Sequence, residues 1–531
     1  MYKRQVLASR KRTLGPDHPE TLVSMNEVAL GYQAAGKFDQ ALALFQQILK
    51  TRTETVGANH PETQITVNNL GVLYSYMGRT DKALELHRQN LAAIEARLGP
   101  DHLDTLSAIH NLALSYQESG QVDLALPLFE KVLQKRTMIL GAEHPVTLTT
   151  MNCLGVAWYL AEDLDKALPL LEESAAGRKA KVGTDHHDSL VSVSHLALAY
   201  VMAERFDEAL RLQEQNAADF QAKYGVDHFD TLTAMHNLAA TYKACGNLDK
   251  ALPLAEQVLA KRRDTLGADH PDTLRSVNLL ADCYYDANRL EEATLLHEQN
   301  VAAYQAKFGV DHPDTLSEMS HLASSYSKQG KTEQAIALAE RVLVQRTKLF
   351  GPKHHATVSS LNTLGFIHLD AKQPDKALPF FQQFLDVQME LLGAGTTEWA
   401  HCQAFVAMEL LKAGLASDIE PMLRECLSIR LEQLPDDWRT FNTQNMLGGS
   451  LLGQQKYADA EPLLLSGYEG MKLREASIPP AGRLRLKEAL ERLVRLYDEW
   501  GKVDEAGKWK AELAAHEETL RQNDVPAKEP E

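Results

Sequence analysis

The chain has 531 residues, 44% hydrophobic and 24% charged, proportions of a folded protein rather than a disordered one. Its formal net charge of −17 disfavours nucleic acid and anionic membrane as partners, and no run approaches the roughly 18 apolar residues needed to cross a bilayer. Five scattered cysteines, Cys153, Cys245, Cys283, Cys402 and Cys426, form no C-x-x-C pair and suit a reducing, cytoplasmic setting as small buried hydrophobes.

Met1-Tyr-Lys-Arg-Gln5 reads back as GTG-TAT-AAG-AGA-CAG, the transposon end used in sequencing libraries, and predicts a scar on a truncated reading frame. Residues 1–14 are then that scar and the second helix of a lost hairpin. From Gly15 a G-x-x-H element recurs without insertion every 42 residues. It stands at Gly15, Gly57, Gly99, Gly141, Gly183, Gly225, Gly267, Gly309 and Gly351, each with histidine three residues on. Gly393 keeps the spacing but has lost the histidine, so nine repeats are expected over residues 15–392.

Within a unit the apolar residues follow a helical period. In the second, Val67, Leu70, Gly71 and Tyr74 mark one buried helix face. Pro61 opens that helix, Met77–Thr80 is a turn, and Asp81 is expected to cap a second helix ending at the C-terminal glycine Gly99. Each unit therefore predicts an antiparallel hairpin. The stretch Gly31–Phe38, GYQAAGKF, imitates a phosphate-binding loop. Phe38 replaces the required Ser or Thr, and no strand-like segment precedes it, so the stretch is the inter-helix turn of one unit and not an ATP site.

Beyond 392 the pattern blurs. Residues 393–475 read as two divergent repeats, 476–521 as a capping hairpin with polar outer faces, and 522–531 as a frayed tail. The fold class expected is all-α, a right-handed superhelical solenoid of antiparallel helix hairpins.

Three columns recur. A small residue stands at Ala29, Gly71, Ala113, Gly155, Ala197, Ala239, Ala281, Ala323 and Gly365, and an aromatic three later at Tyr32 through Tyr326. Alanine follows at Ala41, Ala83, Ala125, Ala167, Ala209, Ala251, Ala293, Ala335 and Ala377. This is the signature of the tetratricopeptide repeat. The 42-residue spacing, with Leu14-Gly-Pro-Asp-His-Pro-Glu-Thr-Leu22 and Val67-Asn-Asn-Leu-Gly71, resembles the repeats of kinesin light chains over residues 6 to about 392. The tail, Trp438–Gly449 through Tyr457–Leu464, resembles the C-terminal repeat arrays of large bacterial serine/threonine kinases. No glycine-rich nucleotide loop, H-R-D or D-F-G is present to carry over a catalytic residue.

No catalytic residue, cofactor or metal site is expected. The junction histidines come one per repeat, on the order of 10 Å apart, too far to converge on an ion at about 2 Å. They are expected to bond within their own turns or to the next repeat. What remains is surface. The position three before the small residue reads Asn26, Asn68, His110, Asn152, Ser194, His236, Asn278, Ser320 and Asn362, and is expected to line the concave wall. An asparagine amide both donates and accepts, so it can hold an extended peptide backbone. The matching asparagines of kinesin light chains imply that role. Gln33, Ser75, Gln117, Lys243 and Ser327, one or two turns on, would select among ligands. The same amides can instead bond neighbouring helices across the stack.

The second helices alternate between Phe129–Arg136-type and His87–Asn90-type segments, expected to texture the convex face. The function implied is a non-catalytic adaptor for protein or peptide ligands, without a small-molecule substrate. The alternative is the regulatory half of a bacterial kinase.

Overall fold

The computed structural model describes residues 2–34, 37–161, 163–184, 186–479 and 482–523. Among them are 25 α-helices and no strand, in successive antiparallel pairs. The second repeat pairs Pro61–Tyr76 with Thr80–Leu98, and the third pairs Leu103–Glu118 with Val122–Leu140.

The junction explains its own sequence. Gly99, at φ +83°, ends one helix in a conformation that a β-carbon would disfavour. His102 then caps the next helix, its Nδ1 accepting the Asp104 N–H at 3.1 Å, while Thr105 Oγ1 donates to the Gly99 carbonyl at 2.7 Å. All nine junction histidines accept the amide two residues on, at 3.1–3.3 Å. These rings replace the usual Ser or Asp cap, as expected of residues bonded within their own turns.

The second helix begins two residues earlier than the sequence suggested. Arg79 occupies the cap position without a side-chain bond, and Asp81 lies inside the first turn, where its charge still complements the helix dipole. Side-chain capping occurs where that column holds Asp163 or Asn247, which accept the Lys166 and Lys250 amides. Gly31 lies on the helix Pro19–Ala34 and Lys37 precedes Phe38–Thr55, so the phosphate-loop look-alike spans a helix–helix turn.

Both small-residue columns are interior. Every alanine of the second column is 0% exposed, letting paired helices approach closely. Glycine appears in the first column where the facing side chain leaves no room. A β-carbon on Gly71 would sit 2.5 Å from His87 Nε2, and one on Gly365 2.6 Å from Phe381 Cζ.

The alternating second-helix segments are not surface texture. Arg136, Arg262 and Arg346 are buried, as are His87, Asn90, His297 and Asn300. Arg262 donates to the Asp272 carbonyl and Ser276 Oγ at 2.9 Å and to Thr233 Oγ1 at 3.2 Å, tying its helix to two first helices. In the other type Asn90 donates to the Gln64 carbonyl at 3.0 Å, and Ile94 stands in the arginine column. The expectation of a convex-face pattern fails because one long polar side chain per interface reaches inward to backbone that would otherwise lack partners.

Two compact units divide the chain, residues 1–325 and 326–531. In the first, the coil returns on itself. The Phe38 ring lies 6.4 Å from Tyr76 and 6.1 Å from Phe308, more than six repeats downstream. Beside them the His312 ring abuts Gly78, where a β-carbon would lie 2.5 Å from Nε2. Lys37, Met77, Arg79, Lys307 and the two phenylalanines line a cleft at this crossing.

In the second unit, Phe381, Trp399, Leu410, Leu423 and Met446 belong to one core. The final hairpin, Leu484–Trp500 with Val503–Asn523, buries Leu486, Leu490, Leu493 and Leu496. Asn445, fully buried, donates to the Leu464 carbonyl at 3.1 Å and accepts from Arg492 at 2.8 Å. The helix ends at Asn523, so the expected frayed tail begins inside it at 522 and otherwise lies outside the described residues.

Candidate functional site

The candidate column is one rail of a polar ladder along the first helices. Asn26 Oδ1 accepts from Asn69 at 3.1 Å, Asn68 Oδ1 from Asn111 at 2.7 Å, and Ser194 Oγ from Asn237 at 2.9 Å. Asn152 Nδ2 meets His195 Nδ1 at 2.9 Å, and Asn278 Oδ1 meets His321 Nδ1 at 3.0 Å. Each bond joins residues 43 apart, one position on in the next repeat. The bonds across the stack that the sequence allowed are therefore formed, and each uses one side of the amide.

The two histidines of the column sit differently. At the ladder position 43 residues beyond His110 and His236 the sequence holds Cys153 and Leu279, which offer no amide, and the Nδ1 atoms of both histidines are buried without a partner. Burial, with Arg136 nearby, pushes the His110 imidazole down to about 3; burial with Arg262 and Arg275 does the same to His236. Both are neutral at pH 7. His110 packs edge-on against Phe129, with ring centroids 5.4 Å apart.

The neighbouring column forms a second rail. Ser75 bonds Glu118, Lys243 pairs with Asp286 at 3.3 Å and Asp282 at 3.8 Å, and Ser327 in the second unit donates to Asp370 at 2.9 Å. Gln33 and Gln117 each keep a buried, unpartnered Oε1. Asn152 and Asn362 likewise keep an unpartnered Oδ1, and Ser320 Oγ bonds back to the Leu316 carbonyl of its own helix at 3.1 Å. Of the sequence candidates in the first unit, Asn26, Asn68, Asn152, Asn278, Ser75 and Lys243 are thus joined by these rails. Asn362 and Ser327 belong to the other unit.

Sequence reasoning missed the acceptors that complete the rails, Glu118, Asp282, Asp286 and Asp370. Their signal was available: each acid lies 39 or 43 residues beyond its partner, close to one repeat length. The aromatic column is also tied down. Tyr200 and Tyr242 donate to Glu172 and Glu214, and both phenols are pushed up to about 12, burial first and the carboxylates second.

Among the described residues no helix is long and apolar enough to cross a membrane. A tetratricopeptide repeat family profile matches residues 1–54, 26–96, 62–134, 104–180, 146–221, 187–263, 230–306 and 314–390. A search of curated proteins gave no match. Among solved structures, the chain is similar to a kinesin light chain with nearly identical TPR-like repeats from Podosopora anserina, 31% identical, covering 39% of this chain and 98% of that one, TM-score 0.34. A point-substituted form of that protein is 35% identical, covering 38% and 95%, TM-score 0.33. BtubC (BKLC) from P. vanneervenii is 18% identical, covering 43% and 92%, TM-score 0.36.

Proposed function

We propose, from the premise that the chain belongs to the tetratricopeptide repeat family, that this interaction scaffold binds an extended protein segment along the ladder of its first unit. The family's repeats typically bind proteins or peptides, and the finer claim concerns where and how. One observation carries it. After the inter-repeat bonds are made, half-buried amide side chains still stand in a row along the two rails: Gln33, Asn68, Asn111, Gln117 and Asn278. Each such amide both donates and accepts, and a peptide backbone supplies acceptors and donors in a row that match them.

Asn26, Asn68, Asn152 and Asn278 hold the backbone in this reading. The acids beside them, Glu118, Asp282 and Asp286, favour ligand segments carrying lysine or arginine. Binding is a matter of groove recognition without covalent chemistry, which suits an adaptor.

The test is a peptide-array or pull-down comparison of the intact chain with a variant carrying Asn68→Ala, Asn152→Ala and Asn278→Ala together. Thermal unfolding of both identifies loss of the ladder itself. Weaker capture of basic segments at an unchanged helical content is the expected result. Capture that survives all three substitutions refutes the groove.

A further inference from the structure

The repeat supplies its own control: a residue unlike its column marks a place where the fold alone does not dictate the choice. Two such departures meet between the seventh and eighth repeats. Asp282, on Pro271–Asp286, stands where the other units hold Val72, Leu114, Val156, Leu198 or Ala240. Glu318, on Pro313–Lys328, stands where they hold Thr66, Ala108, Thr150, Ser192 or Ser276. An acid at either position lacks any structural precedent in the chain, and Glu318 is only 5% exposed.

Both acids converge on histidines. His297, on Leu290–Phe308 and 1% exposed, places Nε2 3.8 Å from Asp282 Oδ1. His321 places Nδ1 3.4 Å from the same oxygen and 3.0 Å from Asn278 Oδ1. One ligand atom from each of Asp282, His297 and His321 lies within 4.8 Å of the other two. Ligands about 2.0–2.1 Å from a tetrahedral ion are about 3.4 Å apart, so two of the separations already approach a chelate and small side-chain rotations complete it. The other face of His297 is also prepared. Its buried Nδ1 has no hydrogen-bond partner and lies 3.9 Å from Glu318 Oε2, which Asn300 holds at 2.8 Å. A carboxylate behind a ligating imidazole is the usual means of fixing its tautomer.

We propose that Asp282, His297 and His321 bind one divalent transition-metal ion of the zinc class between the seventh and eighth repeats. Two imidazoles and a carboxylate form a borderline donor set that favours zinc, cobalt(II) or nickel(II) over magnesium or calcium. Binding shifts the His321 ring proton from Nδ1, where it faces the Asp282 and Asn278 oxygens, to Nε2, and the ion takes its place at Nδ1. Glu318 is the positioning residue, orienting His297. The Lys243 ammonium, 3.8 Å from Asp282 Oδ2, lies on the carboxylate oxygen that faces away from the histidines' contact. The side chains of Asp282 and His321 are 26% and 38% exposed, which leaves an entry path. The site is separate from the nine junction histidines, each committed to a helix cap.

The experiment titrates metal-stripped, tag-free full-length chain with cobalt(II), reading visible d–d absorption, and with zinc(II) by calorimetry. Replacements come from the repeat itself: His321→Asn copies Asn237, and Asp282→Ala copies Ala240, so both preserve column packing. One ion per chain is expected, with affinity lost in both variants and retained in His102→Ala at a junction. Glu318→Ser is expected to weaken binding by about 10-fold or more through His297. Absence of a saturable one-to-one site overturns the proposal. So does binding that persists in His321→Asn and Asp282→Ala.

Discussion

Acid should unfold the first unit locally, at His110 and His236. Each imidazole is held near pKa 3 in the folded chain against about 6.5 in the unfolded one, burial being the main cause. The folded state therefore binds fewer protons than the unfolded state between these values. Stability is fully present above pH 6.5 and falls as the pH drops toward 3. At pH 4.5, two units below the unfolded value, the loss is about 3 kcal/mol per histidine at roughly 1.4 kcal/mol per unit. Hydrogen exchange read by mass spectrometry on Leu103–Glu118 and Phe229–Ala244 measures it where it acts, because a long repeat array opens in parts. His110→Asn and His236→Asn install the residue most common in that column. Each variant should lose about 3 kcal/mol less protection than the parent between pH 7 and 4.5, in its own helix only. Carboxylates elsewhere titrate equally in both chains and cancel. Equal acid loss in parent and variants, or imidazole resonances titrating near 6.5, would refute the reasoning.

Three further outcomes follow from packing. Gly71→Ala should destabilise by about 1–3 kcal/mol in denaturant, since its β-carbon meets His87 at 2.5 Å. Gly31→Ala, with nothing within 4 Å, should stabilise by up to about 1 kcal/mol; the same sign for both would contradict the close approach. Arg262→Ala removes three hydrogen bonds and a buried stem, and should lower stability by about 2–4 kcal/mol. Its exposed neighbour Arg263→Ala should stay within about 0.5 kcal/mol by the same denaturation assay. Phe38→Ala should speed hydrogen exchange at 76–79 and at 307–312 while leaving the intervening repeats unchanged; unaltered exchange at 307–312 would mean the crossing carries no energy.

The hairpins were legible because 42 residues repeat without insertion, so caps, turns and small columns report the same period nine times. The recurring glycine and histidine could be read from spacing alone, but the histidine's role as a helix cap could not. The candidate column was legible as polar, but what it bonds to was not. A partner one position on in the next repeat depends on the stagger between helices, which composition does not encode, so Asn68 and Asn111 look alike until the repeats are stacked. The buried Arg262 was read as surface because a lone arginine on a helix usually is solvated. The Asp282–His297–His321 cluster fits no linear motif, since three helices supply it at unequal intervals. Likewise the meeting of Phe38 with Phe308 follows from a small rotation accumulated per repeat, a quantity no single repeat displays.

That meeting changes the mechanics of the first unit. A spring touched only by adjacent coils stretches and frays from its ends; one whose coils also grip each other across a full revolution resists both. Closing so large a loop adds little entropic penalty beyond closing a small one, because the penalty grows only logarithmically with length. The first unit is therefore fastened at Phe38 and His312, and opening it there breaks contacts between repeats far apart in the sequence as well as those between neighbours.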